Sequence, residues 1–127
     1  MHEFTLRVYY EDTDLAGIVY YANYLKFIER GRSEWVRDRG IDQAQLRTEK
    51  GVVFAVRRVE ADYLKPAHFD DLLTVSTRLA KLGGARLELD QNVLRGSDLL
   101  FSARVTLVCL GSDGATRIPA EVISSLV

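Results

Sequence analysis

Hydrophobic residues recur along the chain with two different spacings. In residues 3–10, and again from residue 53 onward, apolar side chains occupy every second position, which predicts β-strands. In residues 22–39 the spacing is that of a helix, and one face carries Tyr24, Phe27, Ile28, Gly31 and Trp35. We therefore predict one strand, one long amphipathic helix and then a series of strands.

Turn and capping residues mark where these elements end. Gly40 is placed to end the long helix. Asp42 followed by Gln45 resembles a capping box, which predicts a short second helix up to about Lys50, closed by Gly51. Further strands are predicted at residues 53–63, 73–79, 85–93 and 99–109, the last with Leu99 and the alternate residues up to Cys109 on one face. Arg57 interrupts the alternation, and Pro119 predicts the start of a small C-terminal helix.

This order of elements predicts an α+β domain in which one antiparallel sheet packs on one helix. A sheet wrapped around a single long helix is the hotdog arrangement, and we expect a single such domain over residues 1–127. An open sheet has an unpaired edge strand, which proteins commonly cover with another subunit. We therefore expect at least a homodimer, with the irregular strand at 53–63 as the interface strand.

Composition narrows the classes of function. The chain has 17 basic and 18 acidic residues spread along its length, so no surface for nucleic acid or an anionic membrane is expected. The N-terminus shows no basic region followed by an apolar stretch, and no apolar run could span a bilayer, so neither export nor membrane insertion is expected. The single cysteine, Cys109, suits a reducing compartment and packing in the core. We expect a cytoplasmic protein.

The segment between the first strand and the long helix is the best candidate for chemistry. Asp14 lies on a loop that Gly17 can turn sharply, a few residues before a helix whose first N–H groups lack intrahelical partners. Such N–H groups can polarise the carbonyl oxygen of an activated acyl group, while a carboxylate attacks the carbon or activates water. The pattern suits hydrolysis without a metal or a serine.

Other interpretations of these residues stay open. Acids and glycines before a helix commonly serve as turn or capping residues. Glu11, Asp12 and Asp14 could also bind a divalent cation, although no histidine accompanies them in the loop. On the long helix, Glu29 could be a second acid, but the arginines near it favour an ion pair. His68 is expected to be a loop residue.

The loop resembles a known active-site signature. Arg7-Val8, four further residues and then Thr13-Asp14-Leu15-Ala16-Gly17-Ile18-Val19 are similar to the signature of the 4-hydroxybenzoyl-CoA thioesterase family. The wider pattern is most similar to the Tol-Pal-associated, YbgC-type acyl-CoA thioesterase branch, through residues 21–24, 29–32, 63–67 and Asp71. Tyr21 is a departure, because that branch often carries His there whereas the hydroxybenzoyl branch carries Tyr.

The resemblance implies an acyl-CoA thioesterase in which Asp14 is the catalytic nucleophile or general base. It also implies that the backbone N–H of Tyr21 polarises the thioester carbonyl and that the strand near Phe54–Arg58 closes the acyl pocket of a neighbouring subunit. The expected substrate-binding residues are Gly17, Asn23, Phe54, Val56 and Lys81, the last with Arg86 as candidates for the CoA phosphates. No metal and no cofactor beyond the CoA of the substrate is implied.

Substrate, assembly and even catalysis have alternatives. Short aliphatic acyl-CoA is the first expectation and hydroxybenzoyl-CoA the second, because pocket depth depends on how Phe54, Val56, Asn23 and Phe27 pack. Dimer and tetramer both stay open. A rival from a different class is a non-catalytic hotdog scaffold that binds acyl carrier protein, lipid enzymes or envelope components. Asp14 and Gly17 favour the enzyme, because a scaffold has no chemical need for a carboxylate near a helix end.

Overall fold

A computed structural model describes the whole chain, Met1–Val127, as an antiparallel sheet packed on one long helix. The strands are β1 (His2–Arg7), β2 (Val53–Tyr63), β3 (Leu72–Leu82), β4 (Arg86–Arg95), β5 (Asp98–Gly111) and β6 (Gly114–Ala115). The helices are α1 (Asn23–Asp38), α2 (Gln43–Gln45) and α3 (Ala120–Leu126). The predicted order of elements is confirmed. None of the helices has the length and hydropathy needed to cross a membrane.

The sheet has the strand order β1-β3-β4-β5-β2, with β6 paired to β5, and every ladder is antiparallel. β1 and β2 therefore form its two edges. The register of β2 against β5 shifts between Val56 and Arg58, so that Arg57 is an extra residue in a bulge. This bulge is the physical reason for the interrupted alternation seen in the sequence.

The helix α1 packs on the inner face of β1, β3 and β4. Its buried residues are those of the predicted apolar face: Tyr24, Phe27, Ile28, Gly31 and Trp35. A Cβ atom on Gly31 would lie 2.5 Å from Cγ1 of Val75, so glycine is needed for this close approach of helix and sheet. The helix ends before Gly40, whose φ is +79°, as predicted.

The second helical segment reaches Lys50 and is closed by Gly51, as predicted. Only Gln43–Gln45 is α-helical, and the segment continues as one π-helical turn over Leu46–Lys50. The Asp42 carboxylate accepts the N–H of Gln45 at 3.0 Å, but the Gln45 amide donates to Glu49 at 3.0 Å. Only one half of the expected capping box therefore forms.

The inner face of the sheet carries the predicted core, with one correction. Cys109 is buried and unpaired, and burial raises the pKa of its thiol, so packing rather than nucleophilic chemistry is its role. Leu99 was expected on this face but is 37% exposed, whereas Leu100 is fully buried. The prediction for Leu99 is wrong because Leu94 pairs with Leu99 and Val93 with Phe101, which leaves Leu100 as an extra residue.

The strand β2 extends beyond the cover of α1. Its inward-facing Val56, Val59 and Tyr63 pair with Leu107, Val105 and Phe101, whose side chains are buried. The three β2 residues themselves are 48%, 37% and 49% exposed. Apolar surface and an unpaired strand edge therefore coincide at β2.

Candidate active site

The loop between β1 and α1 is a tight turn closed by its own backbone. The N–H of Asp14 donates to the carbonyl of Ile18, and the N–H of Gly17 donates to the carbonyl of Asp14, both at 2.9 Å. Gly17 has a φ of +79°, and no atom lies within 4 Å of the position that a Cβ would take. Its role in the loop is therefore conformational, because the left-handed region favours glycine.

The side chain of Asp14 is exposed in this loop. Its Oδ1 accepts the N–H of Ala16 at 2.9 Å, which is an Asx turn. No hydrogen bond or ion pair within the chain engages Oδ2. The turn-residue interpretation therefore accounts for one oxygen of Asp14 and leaves the other free for a substrate or water.

The neighbouring acids are arranged differently from a metal site. The Oδ2 of Asp12 accepts the N–H of Tyr9 at 2.8 Å, which caps the short 3-10 turn over Tyr10–Asp12. Glu11, Asp12 and Asp14 are not gathered into one group that could hold a metal ion. Asp12 and one oxygen of Asp14 therefore serve the local structure of the loop, and the second oxygen of Asp14 stays free.

The backbone N–H groups of Tyr21 and Ala22, directly before α1, have no acceptor within the chain. They are orphan donors of the kind that every helix start presents. The carbonyl of Tyr20 accepts the N–H of Asn23 at 2.8 Å, and the carbonyl of Tyr21 accepts the hydroxyl of Tyr63 at 2.9 Å. Since C=O and N–H of a trans peptide point in opposite directions, these two bonds fix the directions of both free donors.

The loop and the helix start are tied to each other through Asp12. Its carbonyl accepts the N–H of Tyr20 at 2.9 Å and the side-chain amide of Asn23 at 3.0 Å. The adjacent Tyr21 raises the pKa of Tyr20, and the charge of Asp14 adds to this rise. Asn23 thus positions the helix, and its predicted contact with substrate stays a prediction.

Tyr63 is packed firmly enough to act as a fixed donor. Its ring lies edge-on to Phe101 at 5.0 Å and to Tyr24 at 5.5 Å between centroids. Burial raises the pKa of Tyr63, and the neighbouring Tyr21 raises it further, so the phenol is protonated at neutral pH. The hydroxyl bonded to the Tyr21 carbonyl is therefore always a donor under ordinary conditions.

Comparison with known proteins identifies the family of this chain. Residues 16–102 match the model of the thioesterase superfamily. The chain belongs to that family. It is 40% identical over 121 residues to acyl-CoA thioesterase YbgC of Haemophilus influenzae, covering 94% of this chain and 89% of that protein. It is 40% identical over 106 residues to acyl-CoA thioester hydrolase YbgC of Escherichia coli O157:H7, covering 83% and 78%.

A solved structure agrees with these relatives. The crystal structure of a probable thioesterase from Bartonella henselae is similar with a TM-score of 0.89 at 42% identity, covering 93% of this chain and 98% of that one. The family resemblance, the hotdog fold and the general class of enzyme, a thioester hydrolase, are thereby confirmed.

Within the chain of this thioesterase, the predicted site residues fall into three places. Asp14, Gly17, Tyr21 and Asn23 are together at the loop and helix start. Phe54 and Val56 line a cavity of about 170 Å³ between α1, β2 and α3. Lys81 lies in a separate groove with Arg57, Arg58 and Arg86.

Three further expectations concern single residues. Phe27 is 1% exposed and packs against Tyr24 in the core, and its expected influence on pocket depth stays a prediction. Glu29 forms no ion pair within the chain and accepts the Ser33 hydroxyl at 3.3 Å, so the expected ion pair is wrong. His68 is exposed in the loop before β3, as predicted.

Sequence reasoning gave neither Tyr63 nor Gln91 a role in the site. Tyr63 meets Tyr21 across 42 positions of sequence, so no local spacing could reveal the contact. Gln91 is fully buried on the inner face of β4, between Leu89 and Val93. A polar residue at an inward position of an alternating strand was the available signal for Gln91.

Proposed function

We propose that the protein hydrolyses acyl-CoA thioesters to the free acid and CoA. The observation that carries this proposal is the pairing of Asp14, with one uncommitted carboxylate oxygen, and the acceptor-free N–H groups of Tyr21 and Ala22 at a helix start bonded to the same loop. Acyl-CoA is also the substrate named for the YbgC relatives that are 40% identical.

In the proposed reaction the thioester carbonyl oxygen accepts the N–H of Tyr21, and the N–H of Ala22 is a second donor beside it. Asp14 either takes a proton from a water that adds to the carbonyl carbon or attacks that carbon itself. In the first case the tetrahedral intermediate collapses by breaking the C–S bond, and the CoA thiolate then takes the proton. In the second, a mixed anhydride forms with loss of the thiolate, and water hydrolyses it. Negative charge on the carbonyl oxygen develops opposite the same N–H groups in both routes.

The proposed enzyme works as a homodimer or a larger homo-oligomer. The unpaired edge of β2 and its exposed Val56, Val59 and Tyr63 support a two-fold pairing of β2 with the same strand of a second copy. Such a pairing would continue the sheet from one subunit into the next. It would also run the two α1 helices antiparallel, so that the start of one faces the C-terminal half of the other.

The remaining predicted contacts fit this arrangement. Phe54 and Val56 would close the acyl pocket of the neighbouring subunit, which favours a short acyl group. Lys81 and Arg86 would bind the CoA phosphates in the groove that also holds Arg57 and Arg58. The proposal includes a cytoplasmic location and no metal or cofactor beyond the CoA of the substrate.

Thiol release from a panel of acyl-CoAs, together with hydroxybenzoyl-CoA, tests the proposal. In Asp14→Asn the amide oxygen can still accept the N–H of Ala16, so the loop is kept while the carboxylate is lost. We expect kcat to fall by at least about 100-fold, the usual scale for a positioned acid or base. Asp12→Asn is the matched control, because its oxygen can keep the bond to the N–H of Tyr9.

The two failures are distinct. Wild-type turnover in Asp14→Asn would refute the role of that carboxylate. A wild-type protein inactive on every acyl-CoA in the panel would refute hydrolysis of CoA thioesters and favour the non-catalytic scaffold that binds acyl carrier protein.

A further inference from the structure

A partly buried arginine faces the cavity between α1, β2 and α3. This cavity has a volume of about 170 Å³, and nine of its 13 lining residues are hydrophobic. Arg32 of α1 is the one cation among them. Burial lowers the pKa of Arg32, although an arginine stays charged at any ordinary pH. A full positive charge is therefore held in a largely apolar cavity.

The guanidinium is held in place by Gln91. The amide nitrogen of Gln91 donates to the carbonyl of Ile28 and to the hydroxyl of Thr77, both at 2.9 Å. Because both N–H groups are used, the amide oxygen must face Arg32, whose Nη1 donates to it at 3.0 Å. A buried and fully bonded amide thus orients the guanidinium without neutralising it.

The charge of Arg32 has no carboxylate in contact. No carboxylate oxygen lies within 4 Å of its nitrogens, and Nη1 to Gln91 is its sole hydrogen bond within the chain. Glu29 lies on the same wall of the cavity and raises the pKa of Arg32 somewhat, but its carboxylate accepts the Ser33 hydroxyl at 3.3 Å instead. A desolvated cation with only neutral partners is costly and favours an incoming anion.

We propose that this cavity binds the far end of a short acyl group that ends in a carboxylate, with Arg32 as the residue that determines this specificity. The preferred substrates are then CoA monothioesters of short dicarboxylic acids. An arginine can bind a carboxylate through two parallel hydrogen bonds, while the hydrophobic lining takes the carbon chain.

This inference rests on the proposed function and on the proposed pairing of β2. In one subunit Arg32 lies eleven residues beyond Tyr21, roughly 16 Å along the helix axis, too far for a short acyl group to reach. In the antiparallel pairing, the start of α1 in the partner subunit faces the half of α1 that carries Arg32. The thioester then sits at one subunit's helix start and the distal carboxylate at the other subunit's cavity.

The size of the cavity indicates which ligands it can hold. An apolar cavity of about 150 Å³ in a protein core holds one benzene molecule. The cavity beside Arg32 is about 170 Å³, so it has room for a body of that size. We therefore expect distal ends of about four to six carbons.

Binding of benzoate, measured by calorimetry, tests the cavity without any turnover. We expect wild-type protein to bind benzoate at least about tenfold more tightly than the neutral isostere benzyl alcohol, the scale of a charge-assisted hydrogen bond. Arg32→Met should abolish that difference, and Arg32→Lys should retain part of it. Arg30→Met is the matched control, since Arg30 is an exposed arginine on the same helix and does not line the cavity. Wild-type protein that binds the two ligands equally would overturn the proposal, whether or not the variants fold.

Turnover on matched pairs of substrates tests the specificity. We expect a higher kcat/KM for glutaryl-, adipoyl- or pimeloyl-CoA than for valeryl-, hexanoyl- or heptanoyl-CoA, and a loss of that ratio of about tenfold or more in Arg32→Met. If both series are hydrolysed and the ratio of their kcat/KM values is the same in wild type and in Arg32→Met, this assignment fails while the thioesterase stands. If no acyl-CoA is hydrolysed, the proposed function fails, and this substrate assignment fails with it.

Discussion

Replacing Tyr63 by phenylalanine removes one hydroxyl and leaves the aromatic packing in place. That hydroxyl donates to the carbonyl of Tyr21 at 2.9 Å and so fixes the direction of the N–H of Ala22. The ring contacts with Phe101 and Tyr24 need no hydroxyl. The substitution therefore isolates the orientation of one backbone donor.

The magnitude follows from the hydrogen bond that is lost. Such a bond contributes about 0.5–1.5 kcal/mol net, and Tyr63 is 49% exposed, so the free energy of unfolding should fall by about 1 kcal/mol or less. If the transition state loses the same stabilisation of about 1 kcal/mol, kcat falls about fivefold. Removal of a whole oxyanion donor costs about 100-fold or more, which sets the upper limit. We expect kcat to fall between about 5-fold and 50-fold.

The assay is thiol release under saturating acyl-CoA, with KM measured beside kcat. KM should change by less than about twofold, because the donor acts on charge that develops in the transition state. Tyr10→Phe is the matched control, since the Tyr10 side chain is 83% exposed and its hydroxyl makes no hydrogen bond in the chain. A Tyr63→Phe enzyme with wild-type kcat, or one altered only in KM, would refute the reasoning.

Two other predictions concern assembly and acid stability. Val59→Lys places a charge on the uncovered inner face of β2, so sedimentation should show monomer and thiol release should fall at least about tenfold; an unchanged dimer would contradict the pairing. Burial opposes ionisation of Asp71, but the N–H of His68 and the Arg95 guanidinium at 2.9 Å outweigh it and lower the pKa of this carboxyl. A lowered pKa stabilises the fold above the unfolded value of about 3.9 and ceases to do so as pH falls through the folded value. Urea unfolding should show that Asp71→Asn is less stable than wild type by about 1 kcal/mol at pH 7. As the pH falls below about 4, the free energy of unfolding should decrease less in Asp71→Asn than in wild type. Equal acid sensitivity of both proteins would contradict this assignment.

Much of the fold could be predicted because it depends on local periodicity. The apolar face of α1 and the alternation in β3, β4 and β5 report which side of each element is buried. The active-site loop could be predicted for a similar reason, since Gly17, Asp14 and the helix start are neighbours along the chain. The prediction for Leu99 failed because β5 has an extra residue, Leu100, which changes the face of the sheet on which Leu99 lies.

The sequence by itself determined the order of the elements, the position of Asp14 before a helix start and the family. Only the tertiary structure decided which donors at that helix start are held in a fixed direction, because Tyr63 reaches Tyr21 through the folding of the sheet. It also decided that Arg32 faces a cavity beside a buried Gln91 and not an acid. Contacts between distant segments depend on how helix and sheet pack against each other, and no spacing along one segment records that geometry.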